Sequence, residues 1–273
     1  MELHDILLFL HADASNTAAL KLAEHYGRSF GAGVTGCCLC PDPMPSIADS
    51  FAVGETAIAE VIQRRSARIA CDALRTETTF REATAGLRTE WIVPDPLENA
   101  EDLARRTRFF DLTIVPRAPL AHHPARLLAE RVALDSGGPC LIVPDTPSPS
   151  ELKRILIGWN GSAQARRALD DALPFLRSAE AVQLLVLGED RYRPENVHPE
   201  LMVRRLARHG VDATLRVAPG EGRGKDLLRA CEAFEADLLV MGAYSHQRAS
   251  EIVFGGATRA VLADFPISVL MSH

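Results

Sequence analysis

The chain has 273 residues, enough for one large domain or two small ones. Hydrophobic residues make up 47% and charged residues 24%, an ordinary balance for a chain able to bury a core in each half. The net charge is −6 and no block of Lys and Arg stands out, which speaks against the basic face that nucleic-acid binding needs.

The opening "MELHDILLFLHADAS" holds only a short apolar run. It follows acidic residues and lacks a basic flank and a cleavage site, so no secretory signal is expected. No apolar run approaches the ~20 residues of a membrane span, so no membrane partner is expected either. The six cysteines show no disulfide-framework spacing, and a cytoplasmic location fits. Three of them form "CCLC" (Cys37, Cys38, Cys40). Side chains alternate along a strand, so Cys38 and Cys40 share a face that Cys37 does not. Zinc needs four converging ligands, and buried core thiols are the expectation.

The Pro-rich stretch from Cys40 to Glu55 reads as a long loop, followed by an extended helix reaching about Phe80. Loop 41–54 has no equal later in the chain, and it suits a lid, a binding surface or a packing arm. "FFDLTIVPRAP" (Phe109 to Pro119) then places Asp111 before a strand. His122 and His123 precede Pro124 and a helix, and are expected solvated rather than metal-bound. "GGPCLIVP" (Gly137 to Pro144) closes this half, and the Pro-rich seam "VPDTPSPSELK" (Val143 to Lys153) reads as a linker.

The chain then repeats itself. "EADLLVMGAYS" (Glu235 to Ser245) parallels the stretch around Asp111, with Asp237 in its place, and "DFPISVLMS" (Asp264 to Ser272) parallels "GGPCLIVP". "RALDDALPFLRSAEAVQLLVL" resembles the earlier "AALKLAEHYGRSFGAGVTGCCL". Repeats of this size mean a duplicated domain rather than a solenoid, with boundaries expected at 1–146 and 150–273. In the second half "RILIGW" predicts a buried strand, and "SAQARRALDDALPFLRS" predicts a helix with Ser162 as N-cap. There follow "AVQLLVL", a helix from about Pro199 to His209, "VDATLRV", a helix from about Gly224 to Phe234, "ADLLVMG", a helix from about Ser250, and "ISVLM". Apolar strands separated by helices predict an α/β fold with a parallel sheet covered on both faces. Ligands of such sheets bind beyond the strand C-terminal ends, where strand order reverses. Those ends lie around Trp159 to Ser162, Leu187 to Glu189, Val217 to Gly222 and Gly242 to Ser245.

"ILIGWNGS", "ADLLVMGAYSH", "GGATRAVL" and "PISVLM" together resemble the universal stress protein family, and the duplication resembles its tandem form. The resemblance implies two doubly wound five-stranded sheets of flavodoxin-like layout, paired through their last strands as a pseudo-dimer within the chain, with "CLIVP" beside "ISVLM". It implies a regulatory role in stress response, carried by a bound ATP or AMP or by no nucleotide at all. The family's nucleotide-binding members show Gly, two residues, Gly, nine residues, Gly, then Ser or Thr. Gly242 and Gly255 match the first and third glycines. Ser245 stands in place of the second, Gly256 in place of the Ser or Thr, and Asn160 in place of an Asp after the first strand. The resemblance thus points to a nucleotide site in the second half at Asn160, Gly161, Leu187, Gly242, Ser245, Gly255, Gly256, Ala257, Thr258 and Arg259. No metal is expected beyond nucleotide-bound Mg.

The physical reading agrees on the place. Unpaired N–H groups at a helix start bind anions, glycines let backbone approach a phosphate, and Arg259 adds a fork of donors. The departures weaken it. A side chain at a left-handed Ser245 costs roughly 1–2 kcal/mol, and the hydroxyl missing at Gly256 roughly 1.5–3 kcal/mol. The first half is poorer still, with Pro116 where Gly242 sits, no Gly pair before its helix, and "FLHADAS" for "GWNGS". It is expected to be a structural partner.

"PGEGRGKDLL" is not a P-loop, because Pro219 replaces the first Gly and Asp226 the final Ser or Thr. Arg223 and Lys225 nonetheless sit where ligands gather. No G-x-S-x-G elbow occurs, and Ser245–His246 lacks a placed third member, so no enzyme is expected. A nucleotide-free interaction module with an unknown protein partner is the competing reading, and a slow nucleotide hydrolase a third. A homodimer is compatible with all three.

Overall fold

The computed structural model describes residues 2–12, 15–39, 55–95, 97–117, 124–144, 151–188, 197–220, 224–243, 256–263 and 265–273. In the first half these form β1 (Asp5–His11), α1 (Thr17–Phe30), β2 (Gly33–Leu39), α2 (Glu55–Ala83), β3 (Thr89–Ile92), α3 (Ala100–Arg106), β4 (Leu112–Pro116), α4 (Pro124–Asp135) and β5 (Cys140–Val143). In the second half they form β6 (Arg154–Gly158), α5 (Ala163–Asp171), α6 (Leu173–Ser178), β7 (Ala181–Leu187), α7 (Pro199–Arg208), β8 (Ala213–Ala218), α8 (Gly224–Phe234), β9 (Leu238–Gly242), α9 (Gly256–Ala263) and β10 (Ser268–Ser272).

All ten strands join one sheet, in the order β3-β2-β1-β4-β5-β10-β9-β6-β7-β8. Each half is a parallel five-stranded sheet read 3-2-1-4-5, and among the described strands the only antiparallel step is β5 against β10, with Leu141 opposite Leu270. The pairing of "CLIVP" with "ISVLM" is therefore made inside the chain. It removes two short apolar edges that would otherwise template association.

Alternation along β1 sends Ile6, Leu8 and Leu10 to one face of the sheet and Leu7 and Phe9 to the other, all completely buried. The first face is covered by α1, α5, α6 and α7, the second by α4, α8 and α9. Across the seam, Tyr26 of α1 meets Phe175 of α6 edge to face, with ring centroids 4.8 Å apart, and the Tyr26 hydroxyl accepts from Leu152 N at 3.3 Å.

The repeated aspartates have a shared structural job. Asp111 Oδ2 accepts from the backbone N–H groups of His4 and Asp5 at 2.8 and 3.1 Å. Asp237 Oδ2 accepts from those of Lys153 and Arg154 at 3.1 and 2.9 Å. Each carboxylate thus satisfies the entry of the half's first strand, which fixes β4 beside β1 and β9 beside β6.

Ser162 caps α5 as expected, accepting from Ala165 N at 3.1 Å. The run to Ser178 is not one helix, however. It breaks at Ala172, because Pro174 lacks an N–H and its ring collides with the carbonyl four residues back. Phe175 N and Leu176 N both turn to Ala172 O, at 2.9 Å each. The extended helix α2 continues three residues past Phe80, to Ala83. The last helix is described from Gly256. Positions 250–255, loop 41–54, His122 and His123 lie outside the described residues.

Candidate functional site

In a 3-2-1-4-5 sheet the strand order reverses between the first and fourth strands, and the crevice beyond their C-terminal ends is where ligands lodge. In the second half this is the crevice between β6 and β9, bordered by the end of β7. It gathers Gly158, Asn160 and Gly161 after β6, Leu187 at the end of β7, and Gly242 at the end of β9. Ala257 is half-buried and Thr258 is buried in the first turn of α9. Ser245 and Gly255 lie outside the described residues, as does the side chain of Arg259.

The glycines there act in different ways. A Cβ on Gly242 would lie 2.5 Å from Ala165 N and 2.6 Å from Gln164 C. Only glycine therefore lets the N-terminus of α5 come down onto the end of β9. Gly161 has φ +73°, and a Cβ there would also meet Val197 Cγ1 at 2.9 Å. A Cβ on Gly158 would make ordinary contacts, with Leu227 Cδ2 and Val240 O both at 3.7 Å. Gly224, at the start of α8, lies against Ala260 of α9, 2.4 Å from where its Cβ would be. In the P-loop-like stretch, then, Gly224 serves helix packing, while Lys225 is exposed.

Polar groups shape the loop after β6. Asn160 Oδ1 accepts from Ser162 N at 3.1 Å and from Ser162 Oγ at 2.7 Å, which orients the amide. Trp159 is 8% exposed and donates its indole N–H to Val197 O at 2.8 Å. That bond ties the segment entering α7 to the crevice. Sequence reading did not single out Val197. Its only signal was an apolar residue just ahead of Pro199 and the helix.

The first half repeats this step with different chemistry. His11 stands six residues after Asp5, as Asn160 does after Arg154, and Pro116 stands five after Asp111, as Gly242 does after Asp237. His11 is 2% exposed, and its Nε2 lies 3.0 Å from Pro116 O, bridging the ends of β1 and β4. Asn16 holds the loop closed, its Oδ1 accepting from His11 N and its Nδ2 donating to His11 O, both at 2.8 Å. Arg117, next to Pro116, donates to Phe265 O of the second half. Residues that could have shaped a ligand loop thus brace the switch point and the seam. Sequence reading missed His11, a polar residue ending an apolar strand.

Cys37 and Cys38 are completely buried on opposite sides of β2. Burial pushes the Cys231 thiol up to about 12, a core thiol rather than a nucleophile. Among the described residues no group of three His, Cys, Asp or Glu is placed to hold a metal ion. No described helix is long and apolar enough to cross a membrane.

Two mirrored, doubly wound parallel sheets define the class: a tandem α/β protein of flavodoxin-like layout. Residues 151–273, the second half of the chain, match the model of the universal stress protein family. Over its whole length the chain is similar in structure to a universal stress protein from Archaeoglobus fulgidus DSM 4304, at 17% identity and a TM-score of 0.66, covering 97% of each chain. It is also similar to a functionally unknown protein from Pseudomonas aeruginosa PAO1, at 15% identity and a TM-score of 0.60, covering 99% of this chain and 92% of the other. A universal stress protein solved in complex with cAMP is 21% identical over 45% of this chain and 98% of its own, with a TM-score of 0.39. No curated protein matches the chain.

Proposed function

We propose that the chain is a regulatory stress-response protein that binds one adenine nucleotide, ATP or AMP, in its second half, and that it is not an enzyme. In this reading residues 1–146 and 150–273 are its two domains. Asn160, Gly161, Leu187, Gly242, Ser245, Gly255, Gly256, Ala257, Thr258 and Arg259 form the site, Mg arrives only with the nucleotide, and the nucleotide state is passed to a protein partner in the cytoplasm.

One observation carries the reading. At the switch point of the second half, Gly158, Gly161 and Gly242 stand where the first half has Phe9, Ala12 and Pro116. Gly161 turns the chain at φ +73°, and Gly242 admits the start of α5 to the end of β9. The dipole of that helix start favours an anion beside the crevice. The residues present therefore suit a nucleotide: α9 starts at Gly256 beside the same crevice, and the fixed amide of Asn160 carries both a donor and an acceptor.

Titration calorimetry of the full chain with ATP and with AMP tests this. The expected result is one site per chain. Gly256→Ser supplies the missing hydroxyl and should tighten binding about 10- to 150-fold. Gly255→Val should abolish it. Two equivalent sites would overturn the asymmetry, and no saturable heat with either nucleotide would leave the nucleotide-free interaction module as the better reading.

A further inference from the structure

The molecule has a second concave feature at its other pole, where the strands begin. There the two halves border an open cleft of about 480 Å³. Leu3 and His4 lead into β1 on one side, with Ser29 and Phe30 at the end of α1. Pro174 and Arg177 of α6 close it from the second half. The volume lies within the range of small-molecule sites, and the seam between two domains is a preferred place for them.

Its lining is of two kinds. Leu3 and Pro174 are buried apolar groups, and Phe30 is a half-buried ring stacked on Tyr26 with centroids 5.7 Å apart. Together they offer a flat apolar wall. Opposite it, Arg177 Nε donates to His209 O at 3.2 Å. That bond fixes the guanidinium at the rim with its terminal nitrogens to spare. Glu2 also borders the cavity, but its side chain is 88% exposed and lies 3.4 Å from His4 Nε2. Desolvation, then the charges of Arg205, Arg177 and Arg166, lower the pKa of neighbouring His209.

We propose that this cavity binds a small planar aromatic carboxylate, with its ring against Phe30 and Pro174 and its carboxylate on Arg177. Phe30 comes from one half and Arg177 from the other. Such a ligand therefore binds only the paired arrangement and stabilises it by mass action. The site is remote from both switch points and does not depend on nucleotide binding.

The probe is 2-naphthoate, titrated into the full chain and followed by its fluorescence and by calorimetry. One saturable site per chain is expected, with a rise in melting temperature on binding and no displacement by millimolar ATP. Arg177→Gln should weaken 2-naphthoate at least 10-fold. Ser29→Trp, a change at an exposed position that fills the mouth, should do the same, each with the urea midpoint of the parent. The uncharged 2-naphthalenemethanol should bind at least 10-fold more weakly than 2-naphthoate. Absence of saturable binding overturns the proposal. So does equal affinity in parent and both variants, or displacement by ATP, which would put the probe at a switch point instead.

Discussion

His11 and Asn160 stand at the same step of the two halves, and they do opposite things. His11 reaches across the switch point to Pro116 on the fourth strand. Asn160 turns back onto Ser162 at the start of its own helix. The first half thereby ties the ends of β1 and β4 together with a side chain, whereas the second places Gly158, Gly161 and Gly242 at the same step. Duplication has kept what builds the sheet, notably Asp111 and Asp237 on the entries of β1 and β6. It has let the crevices diverge. A switch point in this fold is thus an option the sheet offers, and a handful of residues decide whether it is braced or left open.

The largest test of that contrast is Gly242→Ala. The new Cβ would fall within 2.6 Å of two backbone atoms of α5, and backbone yields less easily than a side chain. Overpacking of this kind costs about 1–3 kcal/mol, and the upper end is expected here, read as a fall in the urea midpoint at constant slope. The same helix start would be pushed off the crevice, so ATP affinity should fall as well. A fully stable Gly242→Ala protein would mean that α5 does not depend on the close approach, and the contrast with Pro116 would lose its packing basis.

His11→Ala and Asn160→Ala probe the same step from each side. Removing His11 leaves a cavity under 2% exposure and takes a hydrogen-bond partner from Pro116 O. A loss of about 2 kcal/mol is expected. Asn160→Ala removes only a local turn to Ser162, for about 1 kcal/mol, but it should weaken ATP binding, whereas His11→Ala should not. Equal stability losses with equal effects on ATP would show that the two halves use this step alike.

Much of the fold was legible because it rests on local patterns. Apolar runs marked the strands, Ser162 marked a helix start, and the matched positions of Asp111 and Asp237 exposed the duplication. The resemblance to the universal stress protein family also implied the pairing of β5 with β10, though not its antiparallel sense. What stayed hidden rests on pairs distant in sequence. His11 meets Pro116 across 105 residues, Gly242 earns its place from a helix some 78 positions earlier, at Gln164, and Trp159 bonds to Val197 across 38. A glycine in sequence shows that something comes close. It does not show whether the visitor is a ligand or a helix. At Gly242 and Gly224 it is a helix, and at Gly158 the neighbours stand at ordinary contact distance. The break at Pro174 was locally legible, but the helical periodicity around it masked it.

The smallest expected effect sharpens the comparison at the seam itself. Tyr26 and Phe175 stand opposite each other across it, each the same number of residues into its half when Asp5 and Arg154 are aligned. The halves differ here by one hydroxyl, which accepts from buried Leu152 N. Tyr26→Phe makes the pair symmetric and should cost about 1 kcal/mol near neutral pH, because Leu152 N loses its acceptor. The alkaline behaviour should go the other way. Burial raises the Tyr26 pKa above its ordinary 10.0, the Leu152 bond lowers it by less, and the charges of Glu151 and Asp237 add to the rise. Above pH 10 the unfolded phenol therefore ionises while the folded one keeps its proton. The unfolded state then binds fewer protons, so stability falls as pH rises. By pH 11 this group alone should remove about 1.4 kcal/mol from the parent and nothing from Tyr26→Phe. Burial raises the Cys231 pKa too, so both proteins should lose stability above pH 9, and the readout is the difference between their urea midpoints. The gap seen at pH 8 should close, and the order even reverse, by pH 11. Parallel curves would mean that the Tyr26 hydroxyl is reached by water at the seam, and that the two halves meet less tightly there than their rings imply.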